Sequence, residues 1–189
     1  MKRIAILASG AGSNAANIIQ YFKSKSIAEV ALVASNKADA GVLQIAESNG
    51  IPTQILTKQN FVLTDDFVMQ LQSMRVDFVV LAGFLWKVPA SMVAHFPQHI
   101  INIHPSLLPK YGGKGMYGHF VHEAVHAAHE AESGITVHWV NEHYDEGAII
   151  AQHCVEISGS DSVADIESKV RALEIKWFPL VLEEVLTTC

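Results

Sequence analysis

Arg3-Ile4-Ala5-Ile6-Leu7-Ala8-Ser9-Gly10-Ala11-Gly12-Ser13-Asn14 reads as a buried strand that breaks into a glycine turn and then enters a helix. A short, continuous apolar run closed by glycines suits a strand covered on both faces. The helix is predicted over Ser13–Lys23, so its free N–H groups lie beside the turn. Glycines let the backbone come close to a ligand, and a helix N-terminus favours an anion there. Ser13 and Asn14 add short side-chain donors that suit a phosphate monoester. The string also satisfies G-x-G-x-x-A, a form of the dinucleotide fingerprint, and a plain strand–helix turn would read the same way. Against a dinucleotide, the next strand ends in Ser35-Asn36-Lys37, and the first acid, Asp39, lies beyond it. No carboxylate is placed there for a ribose diol.

The same rhythm continues outward. Val30–Ala34, Gln54–Leu56, Phe78–Leu81 and His99–Ile103 read as further buried strands. Helices are predicted over Ala40–Asn49, Thr64–Met74 and Pro89–His95, the last with proline in its first turn. This alternation predicts an α/β fold, an open, mostly parallel twisted sheet with helices on both faces. After Pro109 the pattern changes. A loop with glycines at 112, 113, 115 and 118 precedes a helix over His119–Glu130. Gly134–Val140 and Ala148–Ile157 then alternate in polarity about a short polar turn, which predicts an antiparallel hairpin at the C-terminal edge of the sheet. A last helix, Ser162 to about Leu186, is expected to kink at Pro179. No repeat, linker or low-complexity tract interrupts the 189 residues, so 1–189 are expected to form one domain.

Half the residues (50%) are apolar and 17% are charged, the balance of a packed globular chain. The formal net charge of −6 argues against nucleic acid or a membrane surface as partner, since both want a basic face. Anionic small molecules remain open. No apolar run is long enough to span a bilayer. Cys154 and Cys189 show no framework spacing, so a reduced, cytoplasmic setting is expected.

Three constellations carry chemistry. In Asn102-Ile103-His104-Pro105-Ser106-Leu107-Leu108-Pro109 a strand runs into a turn fixed by prolines. Residues i and i+2 of a strand share a side, so Asn102 and His104 project together. A carboxamide donor and a proton-carrying ring aimed at one oxygen suit the stabilisation of developing negative charge. The second set is His138, Asn141 and Asp145. If the strand Gly134–Val140 lies near the His104 loop, Asp145 reaches the imidazole, orients it and favours its charged form; otherwise Asp145 caps the turn before Gly147. Third, His122-Glu123-Ala124-Val125-His126 matches H-E-x-x-H, and His119 and His129 extend that helical face. No third ligand stands at a recognised spacing, so a polar helix face is expected and no metal is assigned.

Taken together, these residues resemble the folate-dependent formyltransferases, and within them the glycinamide ribonucleotide branch. The motifs are S-G-x-G-S-N at 9–14, L-A-G-F at 81–84, N-I-H-P-S-L-L-P-K-Y at 102–111 and H-x-x-x-x-x-x-D at 138–145. Ser35-Asn36-Lys37-Ala38-Asp39-Ala40 and Glu174 near Pro179 extend the likeness over nearly the whole chain. The resemblance implies a Rossmann-like formyltransferase domain. Its reaction would move the formyl group of 10-formyltetrahydrofolate to the amine of 5′-phosphoribosylglycinamide in purine (IMP) synthesis. It further implies small-molecule partners, no metal, and a monomer or homodimer.

By position, Asn102, His104 and Asp145 become the catalytic trio. Gly12, Ser13 and Asn14 would hold the substrate phosphate, and Glu174 its ribose. Leu85, Trp86, Lys87 and Val88, together with Asn102 and Asn141, Glu142, His143, Tyr144 and Asp145, would form the folate pocket. Leu85–Val88 replaces a family Met-Arg-Ile-Leu, and a family arginine falls near Thr64. Gly112-Gly113-Lys114-Gly115-Met116-Tyr117 replaces a proline-glycine pattern, and Asp145-Glu146-Gly147 replaces D-G-G. An N-formyltransferase acting on an amino-sugar nucleotide, a zinc peptidase built on H-E-x-x-H and a non-catalytic nucleotide-binding module are the rival readings.

Overall fold

The computed structural model describes residues 1–188; Cys189 lies outside the described residues. In chain order the strands are β1 (Lys2–Leu7), β2 (Ala28–Ser35), β3 (Thr53–Ile55), β4 (Phe78–Leu81), β5 (Ile100–His104), β6 (Glu132–Trp139) and β7 (Ile149–Glu156). The helices are α1 (Ser13–Phe22), α2 (Gly41–Ser48), α3 (Asp66–Ser73), α4 (Ala90–His95), α5 (His119–Ala127) and α6 (Val163–Thr188). All the strands join one sheet in the order β3-β2-β1-β4-β5-β6-β7. The first five run parallel, and β6 is antiparallel to both β5 and β7. This is the expected α/β arrangement with its antiparallel edge.

Strand periodicity explains why the sheet is covered on both sides. Ile4 and Ile6 point into a core shared with α1, α2, α5 and α6, while Ala5 and Leu7 point into the core under α3 and α4. Phe78 and Val80 divide from Val79 and Leu81 in the same way. Each large side chain so buried contributes about 1.5–3 kcal/mol. Among the described residues, no helix is long and apolar enough to cross a membrane.

Several elements differ from expectation, each for a local reason. The helix expected from Thr64 begins at Asp66 and is preceded by a π-helical turn, Gln59–Leu63. Thr64 is extended, and its hydroxyl donates to the Gln59 carbonyl at 3.0 Å, which closes that turn. Pro89 stands as the N-cap of α4 and not inside it. Helix α5 stops at Ala127 instead of Glu130, with His129 in the left-handed region at φ 50°. Helix α6 runs on through Pro179. A helical proline frees the carbonyl four residues earlier, and here Asn17 Nδ2 on α1 donates to that Ile175 carbonyl at 2.6 Å. The start of α6 is a reciprocal cap: Ser162 N donates to Asp165 and Asp165 N donates back to Ser162 Oγ.

The chain leaves β1 toward the β3 edge and leaves β4 toward the β7 edge. Connections that diverge from adjacent parallel strands open a crevice at their carboxyl ends. Gly12 closes this corner. Its φ is +85°, and an added Cβ would lie 2.7 Å from Val42 Cβ on α2.

Candidate active site

A cleft of about 690 Å³ occupies that crevice. Its walls are the turn after β1 (Ser9–Asn14), the segment after β4 (Ala82–Leu85), the end of β5 (Asn102–Pro105) and the glycine loop at 113–118. Tyr144, Asp145 and the inner side of α6 complete it. The buried Ser9 hydroxyl ties the corner together: it donates to Asn36 Oδ1 at 2.5 Å and accepts from Leu85 N at 2.9 Å.

At one end Gly12, Ser13 and Asn14 form the first turn of α1 and line the cleft. Asn14 Nδ2 donates to Glu174 at 2.9 Å, so the expected phosphate and ribose residues are in contact. Burial raises the Glu174 carboxyl above its usual range, and the Asn14 bond only partly offsets this. Two cations that the motif reading did not single out, Lys37 and Arg171, line the same end. Both had a signal. Lys37 follows the strand that pairs with β1, and Arg171 stands three residues before Glu174, on the same helical face.

At the other end Asn102 and His138 face each other across β5 and β6. His138 Nδ1 lies 2.9 Å from the Trp139 carbonyl, so this nitrogen carries the proton and Nε2 is bare. Asn102 Nδ2 donates to that Nε2 at 3.0 Å. The amide is thereby fixed, with its second N–H unused. His104 is 4% exposed, and its Nε2–H donates to the Tyr111 carbonyl at 2.8 Å. Its Nδ1 stands 3.6 Å from Asp145 Oδ2, and Asp145 Oδ1 is 3.7 Å from His138 Nε2. Gly113 N also donates to Asp145, at 2.9 Å, which anchors the glycine loop to the site. Behind Asp145, a Cβ at Gly147 would run into the Trp139 carbonyl.

Burial lowers the His104 pKa, and this outweighs the raising effects of Asp145 and the Tyr111 carbonyl. Asp145 was expected to keep the ring charged; the enclosure of the ring reverses that balance, and it rests neutral. Burial opposes ionisation of Asp145 as well, but the neighbouring His138 and His104 rings and the Gly113 N–H together hold its pKa low.

Of the residues expected around a folate, Leu85, Asn102, Tyr144 and Asp145 line the cleft. Trp86 packs against Phe61 and Phe84, and Val88 is buried in the core under α3 and α4. Lys87 Nζ lies 5.7 Å above the Tyr144 ring. Asn141 Oδ1 accepts from His143 N at 2.8 Å, and the side chains of Glu142 and His143 face solvent. Thr64 is outside the cleft wall. The H-E-x-x-H run does not converge: His122 is buried, while Glu123 and His126 are exposed. Among the described residues, no three His, Cys, Asp or Glu side chains group as metal ligands.

Residues 2–182 match the formyl transferase family. The chain belongs to that family. Over 188 residues it is 42% identical to the phosphoribosylglycinamide formyltransferase of Haemophilus influenzae, covering 97% of this chain and 86% of that protein. Over 183 residues it is 40% identical to the chloroplastic phosphoribosylglycinamide formyltransferase of Arabidopsis thaliana, covering 94% of this chain and 63% of that one. The chain thus spans less than two thirds of the plant relatives' length. The crystal structure of phosphoribosylglycinamide formyltransferase from Bacillus halodurans superposes with a TM-score of 0.88 at 35% identity, covering 98% and 95% of the two chains. In this member of the family the cleft joins the Gly12–Asn14 helix start to an amide–imidazole–carboxylate cluster.

Proposed function

We propose that residues 1–189 act as one formyltransferase domain that moves the formyl group of 10-formyltetrahydrofolate to the primary amine of 5′-phosphoribosylglycinamide. The observation that carries this reading is the convergence of Asn102, His104 and Asp145 in a cleft that also holds the Gly12–Asn14 cradle. The apolar wall at Phe84, Leu85 and Tyr144 suits a flat bicyclic ring, and the opposite end suits a phosphorylated sugar. The folate supplies an activated N-formyl group.

The protein's own part follows from its hydrogen bonds. Asn102 offers its free N–H to the formyl oxygen as the amine adds to the formyl carbon and charge builds there. One such donor contributes roughly 3–4 kcal/mol to the barrier reduction. His104, neutral with Nδ1 bare, accepts the amine proton, and Asp145 stabilises the cation so formed. His104 then returns that proton to the departing folate nitrogen. Assistance of this kind is worth about 10²–10⁴-fold. His138 acts through Asn102 by fixing which way the amide faces. The same reading makes the chain a cytoplasmic monomer or homodimer that works on small molecules; cysteines without framework spacing support the compartment.

The test is spectroscopic release of tetrahydrofolate from the formyl donor, with and without phosphoribosylglycinamide. Release that requires this amine is the expected result. Release independent of it, or only with an amino-sugar nucleotide, would overturn the reading.

A further inference from the structure

His122 faces inward on α5, is 4% exposed and lines the cleft, yet it has no part in the mechanism above. Its Nδ1 is sealed from solvent without a hydrogen-bond partner, and no described residue hydrogen-bonds the ring. Burial lowers its pKa, against the raising effect of nearby Glu167. A protonated Nδ1 would be a buried donor with nothing to receive it. The neutral ring therefore carries its proton on Nε2, the nitrogen a ligand in the cleft can reach.

The facing wall is α6, where Glu167, Arg171 and Glu174 line the cleft at i, i+4 and i+7. Glu167 is engaged by His119 at 3.4 Å and Glu174 by Asn14 at 2.9 Å. Carboxylates that accept from hydroxyls, a guanidinium and the Gly12–Asn14 cradle together suit a phosphorylated sugar. His122 adds a neutral donor to that set: its Nε2–H has no partner among the described residues and is left to a ligand in the cleft.

We propose that His122 is a substrate-binding residue of the sugar-phosphate subsite, donating from Nε2–H to an oxygen of the phosphoribosyl group; this rests on the formyl-transfer reading. A neutral ring supplies direction and no charge, leaving the phosphate charge to Arg171, Lys37 and the helix end.

Two measurements test it. His122→Leu raises KM for phosphoribosylglycinamide about 10-fold, as loss of one hydrogen bond predicts. KM for the formyl donor stays within about 2-fold. His122→Gln, whose amide N–H stands in for Nε2–H, recovers most of the loss. Unchanged KM in both variants, or parallel rises in both KM values, would overturn the assignment. In the wild-type protein, ribose 5-phosphate shifts the His122 imidazole ¹⁵N signals and glycinamide does not. No shift with ribose 5-phosphate overturns the assignment whether or not the variants fold. If the wild type fails to formylate phosphoribosylglycinamide, the formyl-transfer reading falls, and the ribose 5-phosphate titration still decides whether His122 serves a sugar phosphate.

Discussion

The two ends of the cleft are built in opposite ways. The proposed anion cradle comes from one unbroken segment, Ser9–Asn14, in which a strand end, a left-handed glycine and a helix start follow one another. The proposed catalytic end is assembled from distant pieces: Asn102 and His104 from β5, His138 from β6, and Gly113 and Asp145 from separate loops. What holds that end together is strand register, since Asn102 lies directly opposite His138. A slip of one residue would turn both away from the cleft. The cradle thus depends on local backbone conformation and the catalytic cluster on long-range pairing.

This contrast makes the effects of substitution separable. The largest is expected at the assembled end. Asp145→Asn keeps the volume and can still accept from Gly113, but it removes the charge that stabilises protonated His104. Formyl transfer is expected to fall by about 10²–10⁴-fold, with both substrates still bound within a few-fold of wild type by calorimetry. A parallel collapse of binding would mean that Asp145 builds the pocket and does not serve the chemistry.

At the local end, Gly12→Val must accommodate φ +85° and a Cβ against Val42. Steady-state kinetics are expected to show KM for the phosphorylated amine raised about 10-fold or more, with a smaller change in kcat. A selective loss of kcat would break the division between the ends.

Acidity cuts across the two ends. His104 and His122 both fall below 6.5 on folding because burial penalises their charge. Between their folded values and 6.5 the unfolded chain binds more protons than the native one, so stability rises with pH in that window. It is complete above about 6.5 and is lost as pH falls through the folded values. Glu174 works in the opposite sense: its carboxyl is raised above 4.5, so its contribution is present below 4.5 and lost as pH rises through the folded value. Thermal melts are expected to be flat near neutrality and to decline from about pH 6.5 downward, with the His104 ring titrating below 6.5 by NMR. A midpoint above 6.5 would restore the cationic ring read from the sequence.

The smallest effect lies outside the cleft. Asn17→Ala leaves the Ile175 carbonyl without its side-chain donor beside Pro179 and is expected to cost about 1 kcal/mol by denaturant unfolding, with kinetics unchanged.

Legibility in the sequence followed the same division. The strand–glycine–helix unit and the parallel sheet could be read because apolar runs and glycines act over a few residues. Asn102 and His104 could be paired because i and i+2 share a strand face. The neutrality of His104 could not be read. It depends on burial of the ring, which outweighs Asp145 and the Tyr111 carbonyl and is a product of how the loop after Pro109 folds back. The Ile175 carbonyl that Pro179 frees in α6 is met by Asn17, 158 residues before Ile175. The π-helical turn before Thr64 lacked a recognised signal; Lys37, read only within the 35–40 match, and Arg171 had no assigned role until the sheet order brought them to one wall.

The most direct measurement is the turnover of Asn102→Ala with phosphoribosylglycinamide and 10-formyltetrahydrofolate. Removing the donor fixed by His138 is expected to lower kcat by about 10²–10³-fold, with both KM values within a few-fold of wild type. A kcat close to wild type would contradict the claim that this amide stabilises the charge formed during transfer.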